Sequence, residues 1–290
     1  MSFRSCIGLL LFTAACGSSS PGGGPDLDGA DVDGTDVDGA DVDDLGDVDL
    51  PGDSVVGGDG STSTQSSIPA NPVAFAPGER LTLQSSLSEY FVVVPRAYDA
   101  THQTPTQLFI YLHGCGATSG EDVWAASNMD TTWIGMAPGG NEGPCWDDQA
   151  HGAELTMSAL ADLKTHFNID PRRVHIGGYS SGGDLSYYTA FRNALSFAGV
   201  LAYNSSPAYT MPELQQGISA AAWAFNIVHL SQTEDGVYPI ADVREQMTAL
   251  TNAGFNVLHI ERPGLHYDDN TTGYRNELVY PHLNDGWHAP

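Results

Sequence analysis

Basic residues are scarce in this chain. Ten lysines and arginines stand against 36 aspartates and glutamates, for a formal net charge of −26. Such a surface repels a phosphate backbone, so nucleic acid is excluded as a partner. Glutamate is missing altogether before Glu79. That absence argues against an EF-hand calcium loop, which closes on a bidentate glutamate at its twelfth position. Long apolar runs are missing near the start. Ile7 to Phe12 forms only a short apolar core, far below the roughly 20 residues that cross a bilayer as a helix. Cysteine is rare, at four residues, and no Cys/His spacing of a zinc site occurs. A glycine-rich phosphate cradle is also lacking. No cofactor or metal is therefore expected.

What is present divides the chain. Residues 1–16 read MSFRSCIGLLLFTAAC, with Arg4 ahead of the apolar core and small residues before Cys16. The segment resembles a bacterial lipoprotein signal, in which Cys16 becomes the lipidated first residue. Thr13 stands where that signal prefers leucine. The alternative is ordinary cleavage near Ala15 and free secretion. Residues 17–70 are rich in glycine, serine and aspartate. From Asp26 to Asp53 the chain repeats DLDGA, DVDGT, DVDGA and DVDDL, with 12 aspartates and no basic residue. So little apolar surface cannot offset the entropy of ordering, and the expectation is a solvated, self-repelling tether. A calcium-binding repeat is the alternative. About fifty such residues reach roughly 40 Å. The expected location is the cell envelope, with membrane contact through the lipid alone. Loss of the signal removes Cys6, and Cys16 is lipidated or removed. Cys115 and Cys145 remain, and an exported domain is expected to pair them.

Residues 71–290 read as one folded domain. EYFVVVP (Glu89 to Pro95), LFIYLHG (Leu108 to Gly114), WIGMAP (Trp133 to Pro138), VHIGG (from Val174), FAGVLAYN (Phe197 to Asn204), AFNIVHL (Ala224 to Leu230) and FNVLHIE (Phe255 to Glu261) are the expected strands. Helical spacing recurs over Ala153 to Phe167, Asp184 to Ala194 and Ile240 to Thr251. Strands alternating with helices predict an α/β domain with a mainly parallel central sheet and helices on both faces.

One junction carries chemistry. Gly178-Tyr179-Ser180-Ser181-Gly182 fits G-x-S-x-G between a predicted strand and a predicted helix. The spacing predicts a sharp turn that exposes Ser180 as a nucleophile, with small neighbours because strand and helix approach closely. A serine hydroxyl needs a base, and the base an orienting acid. The loop after AFNIVHL offers Asp235, with Glu234 as its rival. The loop after FNVLHIE offers His266, with His282 and His288 as alternatives. His175, His229 and His259 lie within strands and read as structural. The backbone N–H groups of Ser181 and Cys115 are the expected oxyanion donors. His113 reads as a loop-orienting residue. Tyr179, next to the nucleophile, is a candidate for substrate contact.

The combination LHGCG (Leu112 to Gly116), NEGPCW (Asn141 to Trp146), IDPRRVHIGGYSSGG (Ile169 to Gly183), the Asp235 segment and PGLHY (Pro263 to Tyr267) resembles the polyhydroxybutyrate depolymerase and feruloyl/acetylxylan esterase group of α/β-hydrolases. The resemblance implies an α/β-hydrolase fold and a Ser180–His266–Asp235 triad. It places Cys115 at the oxyanion hole, bridged to Cys145, with Trp146 as a platform for a sugar or aromatic ring. Core packing is the other reading of Trp146. Asp184 departs from the group, which more often has a small or apolar residue there. The implied activity is a monomeric, secreted serine esterase acting on feruloyl or acetyl esters of plant polysaccharide. A polyhydroxyalkanoate depolymerase is the alternative, and a non-catalytic, glycan-binding surface lipoprotein is another.

Overall fold

The computed structural model describes residues 68–129, 132–140, 143–267 and 280–284. The expected signal, Cys16, nearly all of the expected tether, and His288 lie outside the described residues.

Eight strands form one sheet in the order β1-β2-β4-β3-β5-β6-β7-β8. They are β1 (Arg80–Gln84), β2 (Glu89–Val93), β3 (Thr106–Leu112), β4 (Trp133–Pro138), β5 (Ile169–Tyr179), β6 (Gly199–Tyr203), β7 (Asn226–Gln232) and β8 (Asn256–Arg262). The first two pair antiparallel, and β2 joins β4 antiparallel; β4, β3, β5, β6, β7 and β8 run parallel. Six helices are described: α1 (Ser119–Met129), α2 (Gln149–His166), α3 (Ser181–Arg192), α4 (Met211–Ala220), α5 (Ile240–Asn252) and α6 (Tyr280–Asn284).

The period of two along each strand sorts side chains between two cores. In β3, Leu108, Ile110 and Leu112 enter one cluster, with Leu160 of α2, Leu185 of α3, Leu214 of α4 and Leu250 of α5. Phe109 and Tyr111 face the other way, with Ala126 of α1 and Leu283 of α6. Apolar side chains on both faces explain why the central strands read as unbroken hydrophobic runs.

The expected strands all form, with ends shifted by a few residues, as element ends usually are. Four elements were not anticipated: β1, α1, α4 and the short α6. Strand β1 is an edge strand with alternating exposure and little apolar content. Helices α1 and α4 carry few core-facing residues. The α4 N-terminus is nevertheless marked by a capping box, with Thr210 Oγ1 accepting from the Glu213 N–H and Glu213 accepting from the Thr210 N–H.

Candidate active site

Strand β5 ends at Tyr179 and α3 begins at Ser181, so Ser180 alone makes the turn. Its backbone sits at φ 53°, ψ −124°, a region that an L-residue enters only under strain. Its N–H is held by the Tyr203 carbonyl at 3.0 Å. The turn is possible because Gly178 and Gly182 have no side chains. A Cβ on either would run into the Leu112 carbonyl oxygen at the end of β3. The tightest approach is thus to the neighbouring strand as well as between β5 and α3.

The loops after β7 and β8 bring the other two candidates to this turn. His266 Nε2 lies 3.0 Å from Ser180 Oγ, and His266 Nδ1 lies 2.8 Å from Asp235 Oδ2. All three side chains are largely buried. The second carboxylate oxygen of Asp235 accepts the N–H groups of Val237 at 2.7 Å and Tyr238 at 3.0 Å. The His266 carbonyl accepts from Tyr179 Oη at 2.7 Å and Asn204 Nδ2 at 2.8 Å. The imidazole is therefore fixed at both ends.

The rival residues lie elsewhere or are otherwise engaged. Glu234 is exposed. His282 Nε2 bonds the Asn256 carbonyl at the start of β8, at the sheet edge opposite Ser180. His229 bonds Tyr187, His259 bonds Ser231, and His175 stacks on Trp133. Burial holds the imidazoles of His175 and His229 neutral, with pKa values pushed down to about 3.

The loop after β3 lies against the same turn. The His113 carbonyl abuts Gly182, and the Tyr179 ring covers Gly114. Cys115 follows in this loop and is bridged to Cys145. The Gly116 N–H donates to the Pro144 carbonyl at 2.7 Å. Ser181 opens α3, so its N–H lies in the helical turn that has no internal carbonyl to pair with.

One expectation about substrate contact needs correction. Trp146 is 3% exposed and cannot offer a platform. Its indole N–H donates to the His113 carbonyl at 3.0 Å, its ring packs on the His113 imidazole at 4.7 Å, and it belongs to the main core. It supports the loop of Cys115 from beneath. Tyr179 gives its hydroxyl proton to the His266 carbonyl and so braces the histidine loop.

Sequence reasoning missed Asn204 and Tyr238. Asn204 sits at φ 43° just after β6, and an asparagine at a strand end is a usable signal for such a left-handed position. Asp184 accepts the Ser206 N–H at 2.8 Å and the Tyr238 hydroxyl at 2.7 Å. Burial raises its pKa to about 6 against these hydrogen bonds. No group of three or more metal-ligating side chains occurs among the described residues.

The sheet order, the helices on both faces and a serine on a strained strand-to-helix turn define the α/β-hydrolase fold. Solved structures share it. Dipeptidyl peptidase 4 from Porphyromonas gingivalis superposes with a TM-score of 0.55 at 14% identity, over 74% of this chain and 36% of that one. A CE1 ferulic acid esterase from Anaeromyces mucronatus gives 0.53 at 17% identity, over 68% of this chain and 87% of that one. An acylaminoacyl peptidase from Pyrococcus horikoshii gives 0.51 at 11% identity, over 71% and 39%. The chain thus spans little more than a third of either peptidase. No protein-family model and no curated protein sequence matches the chain.

Proposed function

We propose that this protein is a serine hydrolase of carboxylic esters. The observation that carries the reading is the pair of contacts on His266, with Ser180 on one nitrogen and Asp235 on the other. Asp235 takes the Nδ1 proton in a hydrogen bond and leaves Nε2 as the acceptor. The Ser180 hydroxyl gives its proton to Nε2 while Oγ attacks the ester carbonyl. The new oxyanion is met by the N–H groups of Cys115 and Ser181. His266 then protonates the departing alkoxide, and an acyl group remains on Oγ. Water repeats the sequence and frees the acid.

The substrate class follows from the resemblance in LHGCG, NEGPCW and PGLHY. Feruloyl or acetyl esters on plant polysaccharide come first, and polyhydroxyalkanoate second. A ferulic acid esterase among the structures of the same fold is in keeping with the first choice. Export, and anchoring through Cys16, complete the proposal.

A fluorophosphonate probe tests the reaction class. Wild-type protein is expected to be labelled and Ser180→Ala to remain unlabelled. A wild-type protein inert to the probe points to a glycan-binding role instead. Release of ferulate, acetate or hydroxybutyrate from matched substrates then ranks the acyl groups.

A further inference from the structure

Tyr238 touches every member of the candidate triad. Its N–H donates to Asp235 Oδ1 at 3.0 Å. Its ring lies 5.6 Å from the His266 ring, centroid to centroid. Its hydroxyl donates to Asp184 Oδ2 at 2.7 Å and lies next to Ser180. A phenylalanine would fill the same space, so packing alone does not account for the hydroxyl. Asp184 itself is buried one turn into α3, at 5% exposure. Its other oxygen holds the Ser206 N–H, and Tyr209 lies near the carboxylate.

We propose that Tyr238 is a positioning residue that conveys the protonation state of Asp184 to the Ser180 hydroxyl. The inference rests on the serine-hydrolase reading above. A phenol has one proton to donate. An ionised Asp184 claims it, and the phenolic oxygen can then only accept from Ser180. The serine proton is shared between two acceptors, Tyr238 Oη and His266 Nε2, and only the second leads to attack. A protonated Asp184 donates to Tyr238 in turn. The phenol then points its proton at Ser180 Oγ, and the serine proton is left to His266. The net change is one proton taken from solvent by the Asp184 carboxylate.

Burial places this reversal at an accessible acidity, since Asp184 is raised to about 6. The groups that face Asp184 are Tyr187 on its own helix, Tyr209 after β6, Tyr238 after β7 and His266 after β8. Arg192 and Glu213 line the same cleft, which has a volume of about 230 Å³.

The experiment is the rate of labelling by an uncharged fluorophosphonate as a function of pH. Wild type, Tyr238→Phe, Asp184→Asn and the double variant are compared, each with a thermal melt to establish folding. Dividing the wild-type rate by the Tyr238→Phe rate removes the pH dependence that both proteins share. The ratio is expected to fall about fivefold as the pH rises through Asp184's titration, the worth of one neutral hydrogen bond. In the Asp184→Asn background, removing the Tyr238 hydroxyl is expected to have no pH-dependent effect. If Tyr238→Phe does not fold, the ratio of wild type to Asp184→Asn reads the same step. A ratio flat in pH, or a fall that persists in Asp184→Asn, overturns the inference alone. A wild-type protein that is unlabelled at every pH overturns the hydrolase reading and this inference with it.

Discussion

A methyl group at residue 182 has nowhere to go. It would press on the carbonyl oxygens of both Leu112 and His113, which are backbone atoms and cannot swing aside. Gly182→Ala is expected to cost about 3 kcal/mol in urea unfolding, within the range for overpacked sites. Gly236→Ala, with open space around it, is expected to stay within about 0.5 kcal/mol of wild type. Equal midpoints for the two variants would contradict this account of the turn. The same crowding explains why Ser180 was legible from sequence. A turn this tight writes its constraint into adjacent residues, and G-x-S-x-G is that constraint. Asp235 and His266 were legible through their places after successive strands. Tyr238 and Asp184 were not, because their partnership joins residues 54 apart and depends on where two loops meet. Trp146 shows the opposite failure. Its neighbourhood in sequence was read correctly, but which way its ring faces is decided only by packing.

Elements announced themselves in proportion to their burial. Strand β4 was readable to its last residue because all six of its positions are buried. Strand β1 alternates exposed and half-buried positions in five residues and left almost no hydrophobic trace. The loop between β3 and α1 is held by a different device. Cys115–Cys145 closes a stretch of sequence separation 30, which contains α1 and β4. Loop-closure entropy for that length is worth roughly 3–4 kcal/mol in the unfolded state. The double variant Cys115→Ser, Cys145→Ser is therefore expected to melt lower by several degrees. It is also expected to react more slowly with the fluorophosphonate, because the proposed oxyanion donor at residue 115 loses its tether. Melting and labelling unchanged by the double substitution, or by reductant, would refute a supporting role for the bridge.

At the scale of the whole molecule, acidity pulls on the fold in two directions. His175 and His229 are kept neutral down to about pH 3, whereas the unfolded chain protonates them near the ordinary imidazole value of 6.5. The unfolded state binds more protons across that interval, so stability is lost as pH falls from 6.5 towards 3. Asp184 acts the other way. Its folded pKa of about 6 exceeds the ordinary 3.8, so its contribution is complete below 3.8 and is lost as pH rises towards 6. Two histidines outweigh one aspartate, and the urea midpoint of wild type is expected to fall steadily from neutral pH to about pH 4. Asp184→Asn removes the opposing slope. Its gain over wild type is expected to be larger near neutrality than in acid, and an equal gain at both would refute the assignment.

The bridge beneath the Cys115 loop carries a consequence for where the protein comes of age. Glutathione keeps thiols apart inside most cells, and there the chain would fold with its Cys115 loop unfastened. Full competence would then require an oxidising space, and a chain kept in reducing surroundings would be the more sluggish form.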